Sequence, residues 1–218
     1  MTKRLVRSSS AAALASAAIL ASVPAFGQEA PLPAPNVGDV WQYRRTDLWT
    51  DRLISTFEHE FAGATPDRLV YSNTASGRSI EFSREGNPCH RAIGNDAVVC
   101  DGALRFPMAI GHRHSFERPS PDRLWIESAS CEVMGRESVT VPAGTFDAFR
   151  IDCDGWNTPR RQERFANRWA EQVWYAPQVH RVVRHIVLVR TWKGLLQDKF
   201  MLELTLSLIH ISEPTRPY

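Results

Sequence analysis

Two histidine-containing motifs are the strongest candidates in the sequence for metal binding or catalysis. His112 and His114 in GHRHSFE are two residues apart, so a strand would place both imidazoles on one face, a workable spacing for metal ligands. The sequence assigns no third ligand, which a zinc site requires. The stretch 58–60 (Glu-His-Glu) sends its charges to opposite faces of a strand, which is typical of a solvated edge. We therefore predict no metal, no cofactor and no catalytic residue.

Familiar catalytic motifs are absent from the sequence. The serine-rich stretch YSNTASGRS (71–79) lacks the G-x-S-x-G pattern of a hydrolase nucleophile. Phosphate-binding, H-E-x-x-H and dinucleotide-binding patterns do not occur either. An enzyme with no recognisable motif remains an open alternative.

Aromatic side chains say more about function than the histidines do. They make up 10% of the chain. Aromatic residues usually fill a core, but a curved sheet can leave several of them along an apolar groove. The candidate ligand-binding residues are Trp41, Tyr43, Phe57, Trp125 and Trp174. Our main hypothesis is non-catalytic binding of an apolar, lipid-like or envelope-derived ligand. The alternative is a structural or partner-binding envelope component with a filled interior.

Short antiparallel strands are the elements that would position these rings. The stretches VGDVWQY (37–43) and KFMLELTL (199–206) alternate in polarity, and RVVRHIVLVRTW (181–192) is rich in β-branched residues. Fourteen prolines and twelve glycines separate such stretches, and only 160–170 is a helix candidate. The predicted fold is all-β: one curved, half-barrel-like antiparallel sheet, stapled by disulfides, with at most one short helix.

The segment GRESVTVPAGTFDAFRIDC (135–153) predicts a hairpin. Pro142 presets φ and Gly144 can adopt φ > 0, which suits a three-residue loop with Val141 opposite Thr145. Gly135 is suited to a β-bulge that would shift the register.

That register makes a prediction about the core. It puts Cys131 and Cys153 in diagonal positions on one apolar face. The other members of this face are Val133, Val139, Val141, Phe149 and Ile151.

Four cysteines and no C-x-x-C motif favour disulfides over metal or redox chemistry. Three pairings are possible. We predict the two local pairs, Cys89–Cys100 and Cys131–Cys153, because each pair flanks a reversal of the chain.

The N-terminal residues 1–27 have the pattern of a signal peptide. A basic start precedes an apolar run, Ala11 to Ala21, and the small residues Ala25 and Gly27 suit a cleavage site. The run is shorter than the ~20 apolar residues that span a bilayer. We expect a periplasmic or secreted protein whose mature chain has no transmembrane segment.

The net charge argues against nucleic acid as a partner. The formal charge of +2 comes from 26 basic and 24 acidic residues. Removing Lys3, Arg4 and Arg7 leaves 23 basic residues against 24 acidic ones, a balance of −1. A nearly neutral domain lacks the basic surface that nucleic acid requires.

The C-terminal stretch LSLIHISEPTR (206–216) resembles translated sequencing-adapter DNA. We interpret residues 207–218 as a non-native read-through tail. The expected domain is therefore a single antiparallel β unit spanning 28–206, with its native C-terminus beyond about Leu206.

The hairpin and a later motif together resemble a group of exported bacterial β proteins with a G-x-E-x-V-x-V-P-A-G-x-F hairpin followed by W-Y-x-P. The matching stretches are 135–146 and 174–177, so the resemblance covers about the last third of the chain. It implies a curved sheet like the half-barrels of periplasmic lipoprotein carriers and assigns no catalytic residues. The chain departs from the pattern at His114, where a second G-x-x-W element would have tryptophan.

Overall fold

A computed structural model of the protein describes residues 29–74, 76–91, 97–122, 124–161 and 165–209. The predicted signal peptide (1–27) lies outside these ranges, as does the predicted tail from residue 210 onward. Ser207 and Leu208, which we assigned to that tail, continue the last strand and pair with Trp41 and Val40.

Nearly all of the regular structure is β-strand. The strands are β1 (Glu29–Ala30), β2 (Val40–Asp47), β3 (Leu53–Ala64), β4 (Arg68–Asn73), β5 (Arg78–Ser83), β6 (His90–Arg91), β7 (Val98–Val99), β8 (Met108–Ala109), β9 (Arg113–Pro119), β10 (Trp125–Val141), β11 (Gly144–Pro159), β12 (Asn167–Ala176), β13 (Arg181–Arg190) and β14 (Leu196–Leu208). One 3-10 turn, Pro177–Val179, joins β12 to β13. Of the helix candidate at 160–170, residues 162–164 lie outside the described ranges, and residues 167–170 belong to β12 and are not helical.

Ten of these strands form one antiparallel sheet, in the order β5-β4-β3-β2-β14-β13-β12-β11-β10-β9. The order is that of two meanders, β2 to β5 and β9 to β14, joined where β14 pairs with β2. Strands β1 and β8 pair separately, as do β6 and β7. The all-β, antiparallel prediction is confirmed.

The sheet is strongly curved. Strands β5 and β9 are its opposite edges, and in a flat sheet nine spacings of about 4.8 Å would separate them by about 43 Å. Nevertheless Phe82 of β5 and Arg118 of β9 line the same cavity. Register shifts in six of the nine strand pairings increase the local twist that this curvature needs. Within the described residues β5 and β9 do not pair, so the sheet is not closed into a barrel.

Of the chain between these edges, residues 84–91 and 97–112 pack over one face of the sheet; we call these two stretches the crossing segment. Asn87 is buried and fixes it locally: its Nδ2 donates to the carbonyl of Leu104 at 2.8 Å, and its Oδ1 accepts from the amide of Leu104 at 3.0 Å. Phe106 then packs edge-on against Tyr175 of β12, with ring centroids 5.3 Å apart. The hydrogen bonds of Asn87 therefore fix the segment internally, and the contact of Phe106 with Tyr175 packs it against the sheet.

The β10–β11 hairpin differs from its predicted register by one residue. Val141 pairs with Gly144, so the loop has two residues, Pro142 and Ala143, rather than three. Gly144 has the predicted positive φ, at 136°. A bulge between Val133 and Gly135 then shifts the pairing again. The predicted bulge is confirmed, and the three-residue loop was wrong because the turn closes one residue earlier.

The bulge also divides the apolar residues of the hairpin. Cys131 lies directly opposite Cys153, not diagonal to it, and both pack in a cluster with Val133 and Ile151. Val139 and Val141, beyond the bulge, pack in a different cluster with Trp174. The prediction of a single apolar face was therefore wrong, because one extra residue exchanges the two faces of a strand.

All four cysteines are paired as predicted. Cys89–Cys100 joins the ends of the β6–β7 hairpin in the crossing segment, and Cys131–Cys153 joins β10 to β11. Both cysteines of the second pair are 3% exposed. That disulfide therefore belongs to the core.

Candidate ligand-binding cavity

A cavity of about 290 Å³ lies between the covered face of the sheet and the crossing segment. Strands from both meanders contribute to it. More than half of its lining residues are aromatic or aliphatic: Tyr43, Phe57, Phe82, Pro88, Ala103, Leu104, Val173, Tyr175, Val182 and Leu202. Its acidic and basic side chains are His59, Arg118, Glu171, His180, Arg181 and His185.

Two of the five predicted ligand-binding residues line this cavity. Tyr43 and Phe57 face it from β2 and β3, stacked with their ring centroids 5.3 Å apart. Trp41 is fully buried behind the wall, and its Nε1 donates to the carbonyl of Val179 at 2.9 Å. Trp125 begins β10, and Trp174 donates from Nε1 to the carboxylate of Glu137. Neither of these two tryptophans lines the cavity.

Arg181, at the start of β13, is the most unusual residue of the wall. It is 8% exposed, and its guanidinium carbon lies 4.5 Å and 4.7 Å from the ring centroids of Tyr71 and Phe82. The rings of Trp41 and Tyr43 follow at 5.5 Å and 5.9 Å. Attraction of a cation to aromatic faces stabilises this buried charge, by about 0.5–2 kcal/mol per favourable contact. Among the described residues no carboxylate forms an ion pair with it.

His59 accepts a hydrogen bond from this guanidinium. Nη2 of Arg181 lies 3.0 Å from Nδ1 of His59, and because arginine can only donate, Nδ1 must be the unprotonated nitrogen. Burial, and then the charge of Arg181, lower the pKa of His59 to about 3. His59 is therefore neutral at physiological pH and adds no second positive charge.

The other hydrogen bonds of this group involve Tyr43. Its hydroxyl donates to the carbonyl of Val182 at 2.9 Å and lies 3.4 Å from Nε of Arg181, from which it accepts. Burial raises the pKa of Tyr43, so the phenol stays neutral. Nη1 of Arg181 has no hydrogen-bond partner among the described residues.

The remaining carboxylate and guanidinium groups of the wall have polar partners of their own. Glu171, which is 2% exposed, lies 2.7 Å from Nε2 of His185. Burial pushes the pKa of Glu171 upward, but the hydrogen bond and charge of His185 outweigh burial and hold the pKa below its ordinary value. Arg118 lies 2.8 Å from Glu127. Arg181 is thus the lining cation whose charge no carboxylate offsets within the described chain.

Polar atoms without a partner are concentrated around this cavity. Four lining residues have a buried side-chain nitrogen or oxygen with no hydrogen bond to another described residue: Glu171 (Oε1), Tyr175 (Oη), His180 (Nδ1) and Arg181 (Nη1). Leaving such a group unsatisfied costs about 1–3 kcal/mol, so buried groups are normally paired. Their presence in one wall is typical of a surface that meets a polar ligand or water.

Sequence reasoning missed the polar half of this site. His59 was assigned to a solvated edge, but β3 lies between β2 and β4 and His59 is 7% exposed. A signal was present, because Phe57 and Phe61 flank His59 at two-residue spacing and mark an apolar face. Arg181 had no comparable signal, since its partner His59 lies 122 residues away in the chain.

The described ranges contain neither a metal-binding cluster nor a membrane-spanning helix. Within them, no group of three or more His, Cys, Asp or Glu side chains is placed to hold a metal ion. The rings of His112 and His114 are 5.9 Å apart, and Nε2 of His114 lies 3.2 Å from the carbonyl of Gly102. The described part of the chain contains no helix long and apolar enough to cross a membrane.

Comparison with known proteins yields structural likeness only. No protein-family model matches the sequence, and no curated protein matches it. Among solved structures, a candidate lipoprotein from Parabacteroides distasonis is 16% identical with a TM-score of 0.48; the match covers 83% of this chain and 100% of that one. A candidate exported protein with a YmcC-like fold from Bacteroides fragilis is 14% identical with a TM-score of 0.45, covering 82% and 99%.

Proposed function

We propose that the protein binds a small apolar ligand in the cavity between its sheet and the crossing segment. The observation that carries this proposal is the composition of the wall, in which aromatic and aliphatic side chains surround a few buried polar atoms. Small-molecule sites generally combine an apolar wall with a few polar groups that fix orientation.

The size of the cavity limits the ligand. At about 290 Å³ it lies at the lower end of the roughly 300–1,000 Å³ that ligand sites usually occupy. The corresponding volume of liquid water would hold about ten molecules at ~30 Å³ each. An apolar ligand that displaces this water gains about 25 cal/mol of binding free energy for each Å² of its apolar surface that becomes buried. A single short chain or a small ring system suits this space.

We further propose that binding takes place outside the cytoplasm, in the periplasm or after secretion. Two disulfides in one domain are typical of an oxidising compartment. The expected signal peptide at 1–27 supports the same location.

Fluorescence titration with N-phenyl-1-naphthylamine, an apolar probe that brightens when it leaves water, tests binding directly. We expect saturable binding to the wild type. Leu202→Trp should weaken it about tenfold or more, because Leu202 lines the cavity and an indole would occupy its space. Leu195→Trp is the matched control, since Leu195 is 66% exposed and outside the wall.

Two outcomes would contradict the proposal. One is equal probe affinity in the two tryptophan variants, which would place binding elsewhere. The other is no saturable binding to the folded wild type, which would favour a structural or partner-binding component. Mass spectrometry of organic extracts of the purified protein would identify a natural ligand.

A further inference from the structure

We infer that the ligand carries one compact carboxylate, which accepts hydrogen bonds from Nη1 of Arg181, and that the rest of the ligand is an apolar chain. This inference rests on the proposed function, because it names the chemical class of ligand for the same cavity. Three observations carry it: the hydrogen-bond state of Arg181, the charge balance of the wall, and the apolar surface beside it.

The first observation is the incomplete coordination of the guanidinium. An arginine has five N–H donors. Tyr43 accepts from Nε and His59 accepts from Nη2, and both acceptors are neutral. Nη1 is buried without a partner among the described residues. A carboxylate matches these donors better than a neutral acceptor does, because charge-assisted hydrogen bonds are shorter and roughly twice as strong.

The second observation is that Arg181 has no carboxylate partner among the described residues. The two lining or adjoining carboxylates are held elsewhere, since Glu127 lies 2.8 Å from Arg118 and Oε2 of Glu171 lies 2.7 Å from Nε2 of His185. A single unpaired guanidinium suits a monoanion. A cationic ligand is disfavoured, because Arg181 already occupies the position between the rings of Tyr71 and Phe82.

The third observation is the surface available to the rest of the ligand. Leu104 of the crossing segment, Val173 of β12 and Leu202 of β14 line the same cavity and offer no side-chain hydrogen-bonding group. An unbranched aliphatic chain would contact them. A medium-chain fatty acid combines a carboxylate with an unbranched apolar chain. A small acid derived from a peptide would offer the same carboxylate with a different apolar part.

Isothermal titration calorimetry of the wild type at neutral pH, with octanoate, octanol and octylamine, tests the inference without any mutation. We expect octanoate to bind at least about tenfold more tightly than octanol, a difference of about 1.4 kcal/mol. Octylamine should bind more weakly than octanol. N-acetylleucine, titrated in parallel, distinguishes a peptide-like source of the carboxylate from an alkyl one; tighter binding than octanoate would assign the peptide-like source.

Variants then locate the carboxylate. Arg181→Met keeps an unbranched side chain and removes the charge, so it should abolish the preference for octanoate over octanol. Arg45→Met is the matched control: its guanidinium carbon also lies over an aromatic ring, 3.7 Å from the centroid of Phe200, but it does not line the cavity. Arg45→Met should keep the preference.

The outcomes separate this inference from the proposed function. If octanol binds as tightly as octanoate, or if folded Arg181→Met keeps the preference, the inference is wrong and the cavity remains an apolar site. If neither the alkyl ligands nor the naphthylamine probe bind, the proposed function itself fails. Should Arg181→Met not fold, the wild-type comparison of octanoate with octanol still decides the inference.

Discussion

Nη2 of Arg181 donates to Nδ1 of His59 across 122 residues of sequence, at 3.0 Å. This contact joins β13 of one meander to β3 of the other. It also places a neutral imidazole beside a permanent cation, so protonation of His59 would put two positive charges in one buried group.

The first prediction is a pH dependence of stability that depends on His59. Its pKa is about 3 in the folded protein, against an ordinary value of 6.5 that applies to the unfolded chain. Between these values the unfolded chain therefore binds a proton that the folded one does not. The free energy of unfolding should fall as pH falls through this window, by up to about 1.4 kcal/mol per unit from this residue. Urea denaturation at a series of pH values measures the slope.

His59→Gln isolates that contribution, because glutamine keeps an acceptor for Arg181 but does not titrate. The variant should show a shallower loss of stability between pH 6.5 and 3. His112→Gln, at a half-buried position outside the cavity wall, is the control for exchanging a histidine for glutamine away from Arg181. Parallel slopes for wild type and His59→Gln would contradict the prediction.

The second prediction compares two glycines of one hairpin. Gly144→Val should lower the free energy of unfolding by about 1–3 kcal/mol, because a β-branched residue is strained at φ 136°. The cause is backbone conformation and not crowding, since an added Cβ would meet nothing closer than Phe146 at 4.0 Å. Thermal and urea denaturation measure it.

Gly135→Val is the control for that change. An added Cβ at Gly135 has no heavy atom within 4 Å, and its φ lies outside the left-handed range. We expect a smaller loss than at Gly144. A larger loss at Gly135 would mean that the bulge, and not the turn, is the sensitive point.

The third prediction concerns the order in which the disulfides are reduced. Cys131 and Cys153 are 3% exposed, whereas Cys89 and Cys100 are half-buried in the crossing segment. Because thiol exchange requires access to a sulfur, mild reductant should open Cys89–Cys100 first. Alkylation followed by peptide mass mapping reports the order. Early labelling of Cys131, or a Cys89–Cys131 crosslink in the native protein, would contradict it.

The fourth prediction concerns Asn87, which forms two hydrogen bonds with Leu104. Asn87→Ala leaves the backbone groups of Leu104 without these partners, and each unsatisfied buried group costs about 1–3 kcal/mol. The amide of Leu104 should then exchange hydrogen faster, and probe affinity should fall because Leu104 lines the cavity. Asn73→Ala, at the half-buried end of β4 and outside the cavity wall, is the control. Unchanged exchange at Leu104 would show that other contacts hold the segment.

Sequence patterns predicted local features better than long-range ones. The positive φ of Gly144, a bulge near Gly135 and the two disulfides all depend on residues close in sequence. The predicted register of the hairpin was wrong by one residue. Pro142 and Gly144 suit a two-residue loop as well as a three-residue loop, so the sequence did not decide the loop length. Side chains alternate between the two faces of a strand only as far as a bulge, where the alternation shifts by one residue. The prediction therefore put Val139 and Val141 on the wrong face of the sheet.

The cavity was beyond local patterns for a different reason. Tyr43 and Phe57, which line the cavity, were among the sequence candidates because aromatic residues on predicted strands are easy to recognise. Arg181 was not, because in the sequence it is one basic residue in a strand rich in β-branched residues. Its burial depends on rings from β2, β4 and β5, which reach it only when the sheet curves. Curvature is a property of the whole sheet, and no single segment encodes it.

The pairing of β14 with β2 has a consequence for how the chain folds. Each meander can form from neighbouring hairpins, but Arg44 of β2 meets Glu203 of β14 across 159 residues. Closing so long a loop is entropically costly, and folding slows as contacts become less local. We therefore expect the two meanders to acquire structure early and to join in the slowest step. Until then β2 and β14 present unpaired edges, so this is the interval in which the chain is most exposed to aggregation.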